Sequence, residues 1–463
     1  VWPVATAHSG SPDARGLIES VVMMNTSQQT APNAIEAGVP EAYDLRARTM
    51  EVLDFSAIRE RVALHASFHP ARRLALQMTP SYVGREVEVL QRETAEGLTF
   101  LGEAGDIGLG ATEDASYAVD RAAKEGTLSG LELLAVADLL EAQRRVRSAV
   151  LSVGRRTPLL AGLAEGIPDL RELERGVRAA IGLLGEVVDA ATPRLGPLRR
   201  QVQVAYEQVT DVLESVLRSS AGKEALQDQV ISIRGERLVV QVKTDMRNRI
   251  PGIVHDASNS GATLFVEPFV TVGLCNTWRE LVLEEERETQ RVLRDLSQLV
   301  GAVAEDIKRG GELTAQLDFI LARARYSATL KGVAAMRSPG PEGPGDADGA
   351  RIRLLKARHP LLGGDAVPVS VHVGPAWSAL VITGPNTGGK TVAMKTVGLL
   401  ALMNQSGLHV PAEQGSSLPV FDGVYADVGD QQSIQRSVST FSSHMRSVID
   451  ILAQSTPESL VLL

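Results

Sequence analysis

A glycine-rich phosphate-binding motif towards the C-terminal end constrains this chain more than any other stretch. Residues 384–391 match the P-loop pattern G-x-x-x-x-G-K-[ST] and comprise Gly384, Pro385, Asn386, Thr387, Gly388, Gly389, Lys390 and Thr391. A β-rich stretch, residues 379–383, precedes the motif, and an apolar helical run, residues 391–403, follows it. This strand–loop–helix context predicts a nucleotide-binding α/β domain.

Each part of the motif has a chemical role in binding a nucleotide. The glycines leave consecutive backbone N–H groups free to turn towards one anion. A helix that starts near Lys390 adds the positive end of its dipole. Lys390 is predicted to reach the β- and γ-phosphates, and the Thr391 hydroxyl is predicted to hold Mg²⁺. ATP and Mg²⁺ are therefore the expected cofactors, and the alternative is a glycine-rich turn with a surface lysine.

Composition limits the size, the location and the partners of the protein. A chain of 463 residues is long enough for about three domains. The single cysteine, Cys275, excludes an internal disulfide and fits a reducing cytosol, so we expect a cytoplasmic protein. No apolar run approaches the ~18–20 residues that span a bilayer, and we expect neither a signal peptide nor a membrane partner. The net charge of −9 excludes a uniformly basic surface, so contact with nucleic acid requires a local basic patch.

The chain divides into segments of different character. Residues 1–49 are rich in Ser, Ala, Pro, Gly and Thr, which predicts disorder or a non-native extension, and Met50 is a plausible start. Residues 50–197 predict a helical core. Residues 338–350 form a Pro- and Gly-rich linker, and residues 351–463 form the P-loop domain. The predicted fold is mostly α, with a C-terminal α/β P-loop domain.

Two long helical segments frame a β-rich stretch. In residues 198–228, apolar residues recur at three- and four-residue steps from Leu198 to Val216. Residues 271–337, which we assign to a returning lever helix and further core, repeat the spacing from Val292 to Val303. This spacing is typical of a coiled coil, and we expect two lever helices that form an antiparallel arm. Each run is shorter than about three heptads, so the buried helices of an ordinary bundle remain an alternative.

Residues 229–270 change to β periodicity. The runs 230–234 and 237–243 predict two strands joined by a turn, and 252–255 and 263–266 predict a second pair. We expect a small β clamp at the tip of the arm. Five cations of this segment suit contact with nucleic-acid phosphates: Arg234, Arg237, Lys243, Arg247 and Arg249. An ordinary solvated hairpin explains the same charges equally well.

The last residues, 457–463, predict the buried strand of a P-loop fold. An Asp that supports Mg²⁺ and a Glu that activates water normally stand at the end of that strand. No residue follows Leu463 in this sequence. Because phosphoryl transfer requires a positioned metal and water, we expect this chain alone to bind nucleotide incompletely and to hydrolyse it inefficiently.

Together these segments resemble the MutS family, and specifically its bacterial second-type branch, MutS-II. The most specific piece is the ATPase stretch 383–391, followed by Asp-Val-Gly-Asp-Gln-Gln-Ser-Ile at 427–434 and Ser-Val-Ser-Thr-Phe-Ser-Ser-His-Met at 437–445. The branch is indicated by Pro-Gly-Ile-Val-His-Asp at 251–256 and by Ser-Gly-Ala-Thr-Leu-Phe-Val-Glu-Pro at 260–268. The resemblance covers residues 50–463.

The resemblance implies an ABC-type ATPase that forms a homodimer and binds branched DNA, and so suppresses homologous recombination. For some members it also implies action on collided ribosomes, with contact to rRNA. Ser439 and Thr440 fall in the segment that reaches the partner's nucleotide, whereas helix capping is their alternative role. No mismatch-reading module fits before residue 120. The resemblance places the endonuclease activity of the family in a Smr nuclease domain, which we do not expect within this sequence.

Two other classes of protein remain open on the sequence. A coiled-coil ABC-type ATPase of chromosome maintenance places its P-loop before the arm, whereas here the P-loop follows the arm. That order favours the MutS resemblance. A non-catalytic helical scaffold with a vestigial P-loop is the second alternative.

Overall fold

The fold is taken from a computed structural model of the chain. It describes residues 44–106, 108, 115–335, 352–374, 377–385, 389–428 and 437–463, and of residues 437–443 the backbone alone. The predicted linker, residues 338–350, and residues 1–43 of the predicted extension lie outside these ranges.

Helices make up most of the described residues. Their bounds in the first half of the chain are α1 Leu45–Val52, α2 Phe55–Leu64, α3 His69–Leu76, α4 Gly84–Ala104, α5 Ser116–Ala123, α6 Gly130–Ser152, α7 Pro158–Glu165, α8 Arg171–Ala180, α9 Leu195–Arg218 and α10 Ser220–Ala225. The later helices are α11 Phe269–Ala302, α12 Ala304–Thr329, α13 Lys390–Gln405 and α14 Ser437–Gln454. Within the described ranges, none of these helices is long and apolar enough to cross a membrane.

The strands form three small sheets. Their bounds are β1 Leu226–Arg234, β2 Arg237–Lys243, β3 Gly252–Ala257, β4 Thr263–Pro268, β5 Ile352–Ala357, β6 Val369–Val373, β7 Val424–Ala426 and β8 Leu460–Leu462. The first four strands form one antiparallel sheet in the order β1-β2-β4-β3. Strands β5 and β6 pair antiparallel, and β7 and β8 pair parallel.

The chain folds into two compact units. The first unit comprises the residues up to Thr112, Ala142–Asp169 and Lys308–Leu463. The second unit comprises Glu113–Glu141 and Leu170–Ile307. The P-loop therefore belongs to the first unit, whereas the predicted clamp and the predicted lever segments up to Ile307 belong to the second.

Helix α13 lies at the centre of the core of the first unit. Its residues from Thr396 to Gln405 are all buried, as expected for a helix that is apolar on every face. Gly398 allows close packing, because a Cβ there would lie 2.5 Å from Leu462 Cδ1 and 2.8 Å from Leu53 Cδ1. The same core cluster includes residues of α2, α12 and β5. Helices that were predicted to belong to a separate helical core thus share one core with the predicted P-loop domain.

The fold includes residues that the sequence analysis assigned to the N-terminal extension. Helix α1 starts at Leu45, and the Asp44 carboxylate caps it by accepting hydrogen bonds from two backbone N–H groups of the first turn. Leu45 is 4 % exposed and packs against Tyr425 and Ile451. The prediction that residues 44–49 lie outside the fold was therefore wrong. Only Leu45 and Thr49 of this helix are buried, so its sequence has no apolar periodicity to reveal it.

Helices α9 and α11 of the second unit pack side by side in opposite directions. Arg194 pairs with Glu284, Arg199 Nε lies 2.8 Å from Glu285 Oε1, and the rings of Tyr206 and Trp278 lie 5.7 Å apart, so residue numbers fall along α11 as they rise along α9. Their 24 and 34 residues extend about 36 and 51 Å. The apolar residues that follow the predicted spacing are only partly buried, since Leu299 is 56 % exposed.

The four-stranded sheet, called here the β module, confirms the strands predicted in residues 229–270. Its apolar face packs on the ends of α9 and α11, with Leu238, Val240 and Val242 against Leu213 and Cys275 in one buried cluster. Burial and the neighbouring carboxylate of Glu267 raise the pKa of the Cys275 thiol to about 11. Cys275 is therefore a packing residue, since a buried thiol with a raised pKa is a poor nucleophile.

Glu288 of α11 forms a hydrogen bond with Thr192, which lies just before α9. It pairs with Arg291 at 2.7 Å and accepts a hydrogen bond from Thr192 Oγ1 at 2.8 Å, and these partners lower the pKa of Glu288 from 4.5 to about 2. A carboxyl group with a lowered folded-state pKa stabilises the fold above its unfolded pKa, and this contribution is lost as the pH falls towards the folded pKa.

We therefore expect a pH-dependent difference between the wild type and Glu288→Gln. The stability deficit of the variant should be constant above about pH 5, because the carboxylate is then ionised in both folded and unfolded chains. It should shrink as the pH falls from 4.5 towards 2. Urea denaturation across this range measures it, with the exposed Glu280→Gln on the same helix as control. A deficit that is independent of pH would contradict the assignment.

Candidate nucleotide and nucleic-acid sites

The described part of the P-loop has the backbone that a phosphate cradle requires. Gly384 and Gly389 adopt positive φ angles of 148° and 76°, which residues with side chains rarely adopt. Helix α13 begins directly at Lys390, and the Lys390 ammonium donates a hydrogen bond to the Gly384 carbonyl. Thr391 lies in the first turn of the same helix. The predicted site residues Asn386, Thr387 and Gly388 lie outside the described residues.

The predicted strand before the P-loop was wrong. Residues 379–383 are not part of any sheet in the described residues. Leu380 is 50 % exposed and Val381 is 82 % exposed, although both are apolar. A strand exists only through hydrogen bonds to a neighbouring strand, and no described strand lies beside this stretch. A β-rich sequence alone did not suffice to form it.

The end of α13 opposite the P-loop is tied to α4 and α12. Gln91 of α4 donates a hydrogen bond to the Asn404 carbonyl at 2.7 Å. Arg323 of α12 has a side chain that is 1 % exposed, pairs with Glu93 and lies 3.5 Å from the Ser406 carbonyl. A cation at the negative end of the helix dipole is favourable, and the terminal carbonyls of the helix gain hydrogen-bond partners.

Helix α14 contains the predicted trans-acting residues. Ser439 and Thr440 lie in its first turn, and their side chains are outside the described part of the structure. The next turn is held by His444, whose Nδ1 lies 2.9 Å from Asp427 Oδ2. The other oxygen of Asp427 lies 3.3 Å from Arg48 Nη2. The sequence analysis quoted the motifs that contain Asp427 and His444 but missed the network, because Arg48 lies 379 residues before Asp427 and lies in no motif.

The five predicted cations of the β module separate into two groups at opposite ends of β2. Arg234 and Arg237 lie at the turn between β1 and β2. Arg237 donates a hydrogen bond to Asn276 Oδ1 at 2.6 Å and lies 3.4 Å from Glu267 Oε1, and the Glu267 side chain is 1 % exposed. Arg237 thus neutralises a buried carboxylate, which gives it a structural role that the sequence did not reveal.

The other three cations, Lys243, Arg247 and Arg249, form what we call the basic end of the β module. Because β2 has seven residues, this end lies about 20 Å from the turn with Arg234. The side chain of Arg249 is 62 % exposed and lies 3.7 Å from Glu224, and Lys243 donates a hydrogen bond to the Glu224 carbonyl. Arg247 is exposed and forms no ion pair within the described ranges. This end carries the accessible positive charge that phosphate contact requires.

Comparison with known proteins identifies the class. Residues 380–463, which include the P-loop helix and α14, match the family model for MutS domain V. Three relatives carry the name Endonuclease MutS2. The chain is 41% identical over 422 residues to that of Geobacillus sp. (strain WCH70), covering 90% of this chain and 53% of the relative. It is 42% identical over 416 residues to that of Pelotomaculum thermopropionicum, covering 90% of this chain and 52% of the relative. It is 41% identical over 420 residues to that of Thermomicrobium roseum, covering 89% of this chain and 53% of the relative.

The chain is therefore similar to MutS proteins over about 90% of its length, which confirms the resemblance found in the sequence. Within the family its similarity is to the MutS2 branch, as the segments at 251–256 and 260–268 indicated. The chain spans about half the length of the curated relatives that it matches.

Proposed function

We propose that this protein binds ATP with Mg²⁺ at the P-loop and uses the nucleotide to control contact between its β module and nucleic acid. The observation that carries the proposal is the junction at Lys390, where a glycine loop with positive φ angles meets the N-terminus of a buried helix. The similarity of residues 380–463 to MutS domain V supports the same proposal.

The P-loop residues fit a bound triphosphate. A Cβ built on Gly384 or Gly389 would meet no atom within 4 Å, so there is open space beside the loop. Lys390 would hold the β- and γ-phosphates and Thr391 would hold Mg²⁺. When bound, Mg-ATP supplies a phosphoanhydride bond whose hydrolysis releases free energy. The residues of this chain contribute binding and orientation, because phosphoryl transfer depends mainly on positioning and electrostatic stabilisation.

We infer that the protein acts as a homodimer with composite nucleotide sites. In this arrangement Ser439 and Thr440 of one subunit reach the nucleotide held by the P-loop of the other. Their location in the first turn of α14 supports this role, since the N-terminal end of a helix attracts anions. The endonuclease activity in the name of the relatives is proposed for the full-length protein and is assigned to no residue described here.

For the nucleic-acid contact, we propose that α9 and α11 act as an antiparallel coiled-coil arm that carries the β module as a clamp. Lys243, Arg247 and Arg249 would contact phosphates, and recognition would follow backbone shape, because the module offers few side chains for reading bases. Branched DNA is the proposed ligand, and suppression of homologous recombination in the cytoplasm is the proposed role. Ribosomal RNA presents the same phosphate chemistry and is the competing partner.

The test is fluorescence anisotropy of the full-length protein with a four-way DNA junction and a linear duplex across a salt series. We expect tighter binding to the junction. In Arg247→Ala/Arg249→Ala the slope of log K against log salt should become shallower by about 0.9 for each phosphate that the variant no longer neutralises. Purified ribosomes serve as competitor.

The matched control is Arg200→Ala/Arg218→Ala, which removes the same charge from exposed positions on α9. Its salt slope should equal that of the wild type. Equal decreases in affinity in the two double variants, or no decrease in either, would contradict a contact at the basic end. Preferential displacement of the junction by ribosomes would shift the assigned partner from DNA to rRNA.

A further inference from the structure

Three elements of the first unit meet at one buried carboxylate. Asp427, whose side chain is 4 % exposed, follows β7 directly. Its oxygens contact Arg48 of α1 at 3.3 Å and His444 of α14 at 2.9 Å. The Asp427 backbone N–H also donates to the Leu462 carbonyl of β8 at 2.9 Å. The carboxylate therefore connects α14 to the sheet and to α1.

The chemistry of the contact fixes where the imidazole proton lies. An ionised carboxylate only accepts hydrogen bonds, so Nδ1 of His444 must carry the hydrogen that Asp427 accepts. Arg48 stabilises the charge of Asp427, which strengthens this hydrogen bond. The result is a directional contact from a side chain of α14 to a carboxylate that is itself held by two other elements.

This contact sets the rotation of α14 about its own axis. His444 lies about one turn after Thr440, so a contact at His444 fixes the helix close to its first turn. Apolar packing supports the network further along the helix, where Ile451 contacts Leu45 of α1 and Tyr425 of β7. A helix fixed in this way presents its first turn, with Ser439 and Thr440, in one orientation.

We propose that His444 is a positioning residue for the composite nucleotide site, held by Asp427 and Arg48. The inference rests on the proposed trans-acting role of Ser439 and Thr440. It adds how the first turn of α14 is held in one orientation, and it gives α1 a role in supporting the nucleotide site. His444 itself need not touch the nucleotide.

Two substitutions separate the hydrogen bond from simple packing. In His444→Asn the amide nitrogen takes the place of Nδ1 and can still donate to Asp427. In His444→Phe the ring is kept and the donor is removed. We expect His444→Phe to lower kcat of the full-length protein about 10- to 100-fold with little change in KM, because misplacement of a catalytic turn costs this much. His444→Asn should retain most of the activity, and equal decreases in both variants would overturn the proposal.

Subunit complementation tests where the defect acts. Co-expression of Lys390→Ala and His444→Phe chains with different tags yields mixed dimers. If α14 serves the partner's P-loop, one site of the mixed dimer combines an intact loop with an intact α14, so activity should return to about half that of the wild type. If His444 acts only within its own subunit, neither site is intact and the mixed dimer should stay inactive, which would overturn the proposal.

A parallel mixture of Lys390→Ala and Ser439→Ala chains tests the composite nucleotide site separately from the positioning role of His444. If Lys390→Ala complements Ser439→Ala but not His444→Phe, the composite site is supported and the positioning role of His444 is refuted. If neither is complemented, the composite site itself is refuted, and the inference with it. Arg48→Met, which leaves α14 unchanged, is the second variant should His444→Phe fail to fold. Arg48→Met should also be complemented by Lys390→Ala. Absence of complementation would contradict the positioning role that we assign to Arg48, Asp427 and His444.

Discussion

Replacing Arg323 by Met should lower the free energy of unfolding of the first unit by about 3–5 kcal/mol, the range found when one partner of a buried ion pair is removed. The Arg323 side chain is 1 % exposed and pairs with Glu93, which is 15 % exposed. The substitution leaves that largely buried carboxylate without its cation. It also removes the positive charge beside the last carbonyls of α13, where the helix dipole is negative.

Urea denaturation followed by circular dichroism measures this decrease in stability. Arg309→Ala, at an exposed position on the same helix, is the matched control and should change stability by less than about 0.5 kcal/mol. The double variant Arg323→Met/Glu93→Met should be more stable than Arg323→Met alone, because two apolar side chains leave no uncompensated charge. A double variant as unstable as the sum of the single variants would show that the pair is not coupled.

Local patterns in the sequence predicted the β module and the long helices well. The strand predicted at 237–243 coincides with β2. The lever helix predicted over 198–228 agrees less well, because α9 spans Leu195–Arg218 and β1 already begins at Leu226. Period-two and period-3.6 patterns arise within a single element, so one segment is enough to reveal them. The P-loop motif is local in the same sense, and its described part has the predicted turn and helix start.

The features that the sequence did not reveal all depend on partners far along the chain. Residues 379–383 have a strand-like sequence but no neighbouring strand among the described residues. Arg237 has the charge of a nucleic-acid contact, but the fold places the buried carboxylate of Glu267 beside it. Arg323 and Glu93 are 230 residues apart, so neither residue alone predicts a buried pair. Charge in a sequence identifies a cation and leaves open whether it faces solvent or neutralises a buried acid.

Lys390→Ala should abolish productive use of ATP by the full-length protein, with hydrolysis reduced about 10²- to 10³-fold, as when one group that stabilises transition-state charge is removed. Lys390 is half-buried at the first position of α13, and its ammonium contacts the Gly384 carbonyl of the loop. The side chain contributes little to packing, so the variant should fold normally. Nucleotide should then fail to stabilise the variant, whereas ATP at 100 times its Kd should stabilise the wild type by about 2.7 kcal/mol.

Lys395→Ala is the matched control for this prediction, since it removes the same charge from the same helix. Lys395 lies 2.9 Å from Asp54 and is not part of the motif, so its variant should bind and hydrolyse ATP like the wild type. Steady-state hydrolysis and thermal unfolding with and without ATP compare the two variants. If hydrolysis falls equally in both variants, the total positive charge of α13 supports ATP hydrolysis, and Lys390 has no specific role. If Lys390→Ala keeps full turnover, the P-loop is vestigial and the scaffold alternative gains support. A defect confined to Lys390→Ala would assign phosphate binding to this one side chain and the glycine loop that holds it.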